Sequence, residues 1–142
     1  MKRHEAIAPL SREHHANLIL AQVLKSHVAD YKGMPTSPAE KRIYAIRIFN
    51  DEIKHHFKKE EKMFARIYHH PELKEMIDEI SNEHRILEEL FLNLPEDKTL
   101  PVKLNFLGIT LDNHIRKEER VLFPKIQEIC SEEELNSIAE LF

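Results

Sequence analysis

Four long segments of the chain repeat their apolar residues with the period of an α-helix. Breaks that contain proline separate these segments, at residues 33–36, 69–71 and 95–101. Long amphipathic helices joined by such short connections pack as antiparallel neighbours. The pattern therefore predicts an all-α fold: an antiparallel up-down-up-down four-helix bundle with a short C-terminal helix, forming a single domain over residues 1–142.

Several helix boundaries can be predicted from local signals. The first helix is expected from about Ser11 to Tyr31, with Val28 on its apolar stripe. The segment Ser37-Pro38-Ala39-Glu40 is typical of a capped helix start, and Ser131-Glu132-Glu133-Glu134 predicts a second one before the last helix. Pro124 lacks an amide hydrogen and crowds the preceding turn, so it should kink or end the fourth helix.

The composition is that of a globular protein with a buried core, since 42% of the 142 residues are hydrophobic and 32% are charged. The net charge of -4 argues against a nucleic-acid or anionic membrane partner, because both require a basic face. The start of the chain has no apolar segment of signal-peptide length, and the single cysteine, Cys130, excludes an internal disulfide. We therefore expect a cytoplasmic protein, and a homo-oligomer is compatible with the sequence.

The motif His-x3-Glu occurs twice, and both copies lie on apolar stripes. On a helix this spacing places both side chains on one face, one turn apart. A carboxylate in a helical core is costly unless it is paired or bound to a metal ion. A single histidine interrupts each of the other two stripes. The candidate metal ligands are His14, His56, Glu60, His84, His114 and Glu118.

The loop positions give a second indication that these residues meet. In an antiparallel pair of helices, residues at the same level are equidistant from the connection. The midpoints between successive candidate histidines fall at positions 35, 70 and 99, each inside one of the proline-containing breaks. The four histidines are therefore expected in one layer of the core, which favours a shared metal site over four unrelated core histidines.

Two assignments stay open at this point. His15 is the alternative to its neighbour His14, which we prefer because its face continues along the apolar stripe. Glu61 and Glu119 follow the two candidate carboxylates and are expected to form solvated salt bridges, with hydrogen bonding to a ligand histidine as the alternative. Surface positions are expected for the remaining histidines, His4, His27, His55, His69 and His70.

The order His, His-x3-Glu, His, His-x3-Glu resembles the hemerythrin-like, or HHE cation-binding, family. The similarity covers about residues 4–129 and includes the phrases Leu10-Ser11-Arg12-Glu13-His14-His15 and Glu118-Glu119-Arg120-Val121-Leu122-Phe123-Pro124. It implies a non-haem di-iron centre in which the four histidines are terminal ligands, while Glu60 and Glu118 bridge the two iron ions with a water-derived oxygen. A single iron, or manganese or zinc in place of iron, is the alternative.

One position departs from the pattern of the oxygen-carrying hemerythrins. They have a His-x3-His pair on the third helix, whereas Glu88 stands four residues after His84 here. The missing histidine leaves an open metal position or lets Glu88 bind, and either change weakens the case for a reversible O2 carrier.

The function implied by the resemblance is binding of O2, NO, peroxide or iron itself, for sensing, storage or redox protection. A metal- and O2-binding protein is favoured over an enzyme. The main alternative is a di-iron enzyme or iron-repair factor that reduces NO or peroxide or donates iron. A metal-free interaction module, in which the core histidines and carboxylates pair with one another, is the third interpretation.

Overall fold

The computed structural model describes residues 2–26, 28, 30 and 32–142. Helices joined by short connections make up this part of the chain, and none of it is a strand. The prediction of an all-α fold is confirmed. No helix within the described ranges has the length and apolar character needed to cross a membrane. The elements are α1 (Ala8–Leu24), α2 (Pro38–Ile48), a π-helical segment (Phe49–Ile53), α3 (Lys54–Ile67), α4 (Pro71–Leu92), α5 (Leu100–Lys117), a second π-helical segment (Glu118–Leu122), α6 (Phe123–Ile129) and α7 (Glu132–Ala139).

The two predicted helix starts are present. The hydroxyl of Ser37 accepts a hydrogen bond from the amide of Glu40, with Pro38 as the first residue of α2. Before α7, Ser131 and Glu134 form a complete capping box, in which each side chain bonds to the backbone amide of the other residue. Both arrangements satisfy amides that the first turn of a helix leaves without a partner.

The first helix ends earlier than its sequence pattern predicts. Its last residue is Leu24, and Lys25 already has extended backbone angles. The amide of Ser26 donates to the side-chain oxygen of Asn105 on α5, at 2.8 Å. The Lys25 ammonium also pairs with Asp112 on α5. Contacts with another helix therefore replace the hydrogen bonds that would have continued α1.

The described residues between Leu24 and Tyr31, which are 25, 26, 28 and 30, are not helical, so the predicted helix is wrong at these positions. Val28, expected on the buried stripe, is 41% exposed because the helix that would have turned it inward has ended. The predicted end at Tyr31 and the predicted surface residue His27 lie outside the described residues.

The second π-helical segment explains how the chain accommodates Pro124. Pro124 lies in the first turn of α6, where its missing amide hydrogen costs little. The π-helical turn before it contains one residue more than an α-helical turn. The residues that face the core after this turn are therefore displaced by one position along the chain. Leu122 is therefore fully buried, whereas Val121, which the regular helical period places on the apolar stripe, is 46% exposed.

The first π-helical segment has a similar effect in the preceding long helix. Ala45 is fully buried and the following Ile46 only partly so, although the regular period favours Ile46. Beyond Phe49–Ile53 the buried residues follow the regular helical period again, at His56, Glu60, Met63 and Ile67. Nothing in the sequence explains why the extra residue is inserted at this point.

Two apolar clusters fill the core, and a layer of buried histidine and glutamate side chains lies between them. Each cluster draws on all four long helical stretches, which are α1, residues 38–67, α4 and residues 100–129. One cluster includes Leu10, Met63, Ile67, Leu73, Ile77, Ile80, Leu122 and Phe123. The other includes Leu20, Ala21, Leu24, Phe49, Ile53, Leu87, Phe91, Leu104, Leu107 and Leu111.

The closest approach between α1 and α5 depends on Gly108. A Cβ atom added at this position would lie 2.7 Å from the backbone oxygen of Ala21 and 3.2 Å from the Cβ of Leu24. The absence of a side chain thus lets the two helices meet in the cluster that borders the polar layer.

We expect Gly108→Ala to lower the free energy of unfolding. Overpacking typically costs about 1–3 kcal/mol, and a backbone oxygen yields less than a side-chain end. The upper part of this range, about 2–3 kcal/mol, applies here, and alanine regains roughly 1 kcal/mol of helix propensity, so the expected net loss is about 1–2 kcal/mol. Urea denaturation measures this change. Asn113→Ala, at an exposed position of α5, is the control and should stay within about 0.5 kcal/mol of the parent protein.

Candidate metal centre

The six side chains predicted as metal ligands meet in the polar layer of the core. They come from four helical stretches: α1, α3, α4, and α5 with the π-helical segment that follows it. The histidines are 2–3% exposed and the two glutamates are fully buried. All of them are closed off from solvent by the clusters on either side. The six are His14, His56, Glu60, His84, His114 and Glu118.

The six residues form two groups that share both glutamates. His14 and His56 belong to one group, with ring centroids 4.7 Å apart, and His84 and His114 to the other, with centroids 5.0 Å apart. Glu60 and Glu118 are members of both. Within each group the ligand atoms lie within 4.8 Å of one another. The arrangement has the form of two adjacent cation positions with two common carboxylates.

The atoms that face the middle of the layer have no hydrogen-bond partner. These atoms are the Nε2 nitrogens of all four histidines and both carboxylate oxygens of Glu60 and Glu118. The nitrogens lie 2.5–3.7 Å from the carboxylate oxygens, without the geometry of hydrogen bonds. Buried polar atoms without partners are rare and costly in folded proteins. Cations between these imidazole and carboxylate groups would satisfy all eight atoms, so the residues present fit a metal centre.

The opposite side of each imidazole ring is bonded to a further carboxylate. All four Nδ1 nitrogens lie within hydrogen-bond distance of a glutamate that is not one of the two central ones. Such a contact holds the proton on Nδ1, leaves the Nε2 lone pair directed inward and makes the ring a stronger ligand. The pairs are His14–Glu119 at 2.6 Å, His56–Glu13 at 2.7 Å, His84–Glu61 at 2.9 Å and His114–Glu83 at 2.7 Å.

These four pairs link the four helical stretches in a circle, each stretch to the next. A glutamate of α1 holds the histidine of α3, and one of α3 holds the histidine of α4. A glutamate of α4 then holds the histidine of α5, and one of the second π-helical segment holds the histidine of α1. No histidine is oriented by its own helix. The geometry of the centre therefore depends on the mutual placement of all four stretches.

Cations support three of the four outer glutamates. Glu13 pairs with Lys59 at 2.7 Å and Glu83 with Lys117 at 2.8 Å. Arg3 pairs with Glu119 at 3.2 Å and also donates to its backbone oxygen. Among the described residues, Glu61 has no such cationic partner. Its interaction with His84 is thus the one that can be altered without also breaking an ion pair to a lysine or arginine side chain.

The carboxylates change the protonation of the imidazoles when no metal is bound. Burial disfavours the charged form of His56, but the charge of Glu60 and the hydrogen bond to Glu13 outweigh it and raise its pKa to about 9. For His84, burial is likewise outweighed by Glu118, Glu60 and Glu61, and its pKa rises to about 11. The hydrogen bond from His56 lowers the pKa of Glu13 to about 2. Protons and metal ions therefore compete for the same nitrogens.

The two alternative ligands of the sequence prediction lie outside the cluster. His15 is exposed, next to the buried His14. Glu88 is also exposed and lines a cleft of about 300 Å³ together with His84 and Glu61. Neither residue joins the two groups of ligand atoms.

The other histidines for which surface positions are expected are at least partly exposed, as far as the structure describes them. His55 is exposed and points away from the cluster. His4 is partly buried and pairs with Glu132. His69 and His70 both approach Glu134.

Glu13 and Glu83 were not predicted as partners of the candidate ligand histidines. Glu61 and Glu119 were considered for this role, and the structure places both against imidazole nitrogens. A positional signal was available, because Glu13 and Glu83 directly precede candidate histidines. Their partners lie on other helices, however, so spacing along the chain could not reveal the pairs.

Comparison with protein families now adds to this geometry. The family model described as the hemerythrin HHE cation binding domain matches residues 4–126, which is most of the chain. The chain belongs to this hemerythrin HHE family. The resemblance drawn from the histidine and glutamate motifs is thereby confirmed. No curated protein and no solved structure matches the chain significantly. Membership in a cation-binding family agrees with buried groups of side chains that could hold metal ions.

The raised imidazole pKa values predict how the stability of the metal-free protein varies with pH. Protonated His56 stabilises the fold fully below its ordinary pKa of 6.5, and this contribution is lost as the pH rises through about 9. Ionised Glu13 stabilises it above 4.5, and that contribution is lost as the pH falls towards 2. We therefore expect the free energy of unfolding to be greatest between about pH 4.5 and 6.5.

Urea denaturation of the metal-free protein at a series of pH values measures this profile. The metal-loaded protein is the control, since metal on Nε2 replaces the proton and should remove the decline above pH 6.5. Stability of the metal-free protein that is constant or rising between pH 6.5 and 9 would contradict the expectation.

The circle of carboxylates predicts that Glu61→Gln weakens metal binding. Glutamine has the same size and can still accept the hydrogen bond from His84, but it lacks the negative charge that strengthens the imidazole as a ligand. We expect the affinity for a divalent metal to fall by about 10–100-fold. Competition with a chelator of known affinity measures the change. Glu89→Gln, at an exposed position of α4, is the matched control, and equal affinities of the two variants would disprove the role of Glu61.

Proposed function

We propose that this chain is a non-haem di-iron protein of the hemerythrin-like family that binds O2 or a related small ligand such as NO or peroxide. Iron held in the centre serves sensing, storage or redox protection. In this proposal the chain is a single domain, and its four long helical stretches form the antiparallel bundle that the sequence predicts. Cys130 is a free, buried thiol, which agrees with a reducing compartment such as the cytoplasm.

One observation carries the proposal: two histidine pairs share two fully buried glutamates whose four oxygens have no hydrogen-bond partner. One cation would be held by His14 and His56 and the other by His84 and His114, and Glu60 and Glu118 would serve both. Two adjacent cations repel each other, and carboxylates shared between them offset this repulsion. Such a donor set is what a dinuclear centre requires.

The chemistry of the donors favours iron. Imidazole and carboxylate are ligands that suit iron, and there is no thiolate among the buried candidate ligands. An iron pair would supply redox chemistry and affinity for diatomic ligands. Manganese and zinc accept some of the same donors, so metal analysis has to decide among the three.

The enclosure of the centre supports a small ligand. The four imidazoles are at most 3% exposed, and aromatic rings cover two of them. Phe57 stacks on His84 at 4.0 Å and Phe123 on His14 at 5.4 Å. O2, NO and peroxide are small enough to enter between such side chains, whereas an organic substrate is not.

The surroundings of His84 favour one alternative function. Glu88, which occupies the sequence position of the missing fifth histidine, lies on the surface, and no other described side chain joins the ligand groups. The ion held by His84 and His114 would then keep open positions. Open positions suit turnover of NO or peroxide, or release of iron, so an enzyme or iron-repair factor is the second candidate.

Anaerobic reconstitution with ferrous iron tests the di-iron proposal. We expect about two iron ions per chain by metal analysis, and near-ultraviolet absorption of a coupled ferric pair after exposure to air. Fewer than one iron per chain without this absorption would overturn the proposal. Preferential retention of zinc or manganese from a metal mixture would overturn the choice of iron.

Two neighbouring substitutions make the test specific for the buried layer. His14→Gln removes a buried ligand and should lower the iron content, whereas His15→Gln alters an exposed side chain and should leave it unchanged. Comparison of their circular dichroism spectra without metal shows that both variants fold. Equal iron content in the two variants would contradict the assignment of His14.

Turnover separates the two candidate functions. Iron-loaded protein that binds O2 or NO reversibly, with no catalytic consumption of NO or peroxide, supports a binding or sensing protein. Sustained consumption with an added electron donor supports the enzyme.

A further inference from the structure

A second cluster of potential metal ligands lies at the surface, away from the buried layer. His69 and His70 are in the connection between α3 and α4, and Glu134 is in the first turn of α7. The Nε2 nitrogens of His69 and His70 lie 3.3 and 2.8 Å from the same carboxylate oxygen of Glu134. All three ligand atoms lie within 4.8 Å of one another. Two imidazoles and a carboxylate thus converge from parts of the chain more than sixty residues apart.

Backbone contacts hold these side chains in place. The Ser131 amide donates to Oε1 of Glu134 at 3.1 Å, as part of the capping box of α7, so the carboxylate is oriented independently of the histidines. His70 donates its amide to the backbone oxygen of Ile67, and Pro71 follows directly. The Glu134 carboxylate and the His70 backbone are therefore fixed by contacts at the helix ends, whereas the His69 side chain is 64% exposed.

An ion pair with Glu134 uses only one of the two imidazoles. One imidazolium is enough to balance the charge of Glu134, and a second one beside it would be repelled, since the two rings have centroids only 4.2 Å apart. A divalent cation removes this conflict, because it binds two neutral imidazoles and one carboxylate together. Ligand atoms around a tetrahedral zinc ion lie about 3.3 Å from one another, given bonds of about 2.0–2.1 Å. The separation between His69 and Glu134 agrees with this value, whereas His70 and Glu134, which are hydrogen-bonded at 2.8 Å, would have to move apart to reach it.

We propose that His69, His70 and Glu134 form a second metal site, which takes a divalent transition ion and suits Zn²⁺ best. Two histidines and one carboxylate are a known donor set for zinc, with a fourth position open to water. The site is independent of the buried centre and shares no residue with it. Occupation would attach α7 to the connection between α3 and α4, and so stabilise the C-terminal part of the chain.

Zinc titration of the full chain tests the proposal. The buried centre is first loaded with iron anaerobically, and zinc and iron are then counted together by mass spectrometry after dialysis. We expect one zinc ion per chain while the iron content stays constant. The double variant His69→Gln with His70→Gln and the single variant Glu134→Gln should each lose at least tenfold in zinc affinity. Glutamine can replace glutamate in a capping box, so Glu134→Gln keeps the start of α7.

His55→Gln is the matched control, because His55 is exposed and belongs to neither cluster. It should bind zinc as the parent chain does. A second readout is thermal: zinc should raise the melting temperature of the parent and of the control, but not of the two variants that alter the site. Absence of retained zinc, or equal affinity in all four proteins, would overturn the proposal. Loss of iron with normal zinc binding would instead count against the buried centre alone.

Discussion

The rest of this structure depends on two fully buried carboxylates. Glu60 and Glu118 lie between two apolar clusters, and none of their oxygens has a hydrogen-bond partner. Taking an ionised carboxylate out of water costs several kcal/mol unless opposite charge and directed donors replace the solvent. The four imidazoles supply that environment, either as protonated partners or as ligands that share cations with the carboxylates. The apolar clusters therefore enclose a polar layer whose carboxylates need positively charged partners in order to be buried.

The outer carboxylates join the site to the packing of the helices. Each ligand histidine is oriented by a glutamate of a different helical stretch, so the centre can form only when all four stretches are in place. Metal binding at these residues would therefore be coupled to folding, since the unfolded chain has no such site. The same glutamates make the imidazoles better ligands and raise their affinity for protons. A change in pH and a change in metal concentration would therefore both alter what is bound to the same imidazole nitrogens.

The two π-helical segments adjust which residues face the core. Glu118 is the first residue of one segment, and the extra residue there turns Leu122 inward and Val121 outward. The other segment lies just before the helix that carries His56 and Glu60. In both stretches the histidine and glutamate remain on the buried face while the register of the apolar residues on one side shifts. Single π-helical turns are frequent at functional sites, and these two lie beside the candidate ligands.

The sequence by itself determined the helical class, most helix boundaries, the six buried histidines and glutamates, and the family. These features are local. They follow from the helical period of the apolar residues, from proline and serine residues that mark helix ends, and from a His-x3-Glu spacing that must place two side chains on one face of a helix. Only the tertiary structure decided that α1 ends at Leu24 and that Leu122 replaces Val121 in the core. It also decided which glutamate orients each histidine, and that Glu134 reaches His69 and His70. Each of these outcomes depends on groups far apart in the chain or on a change of helical register, and spacing along a single helix carries no information about either.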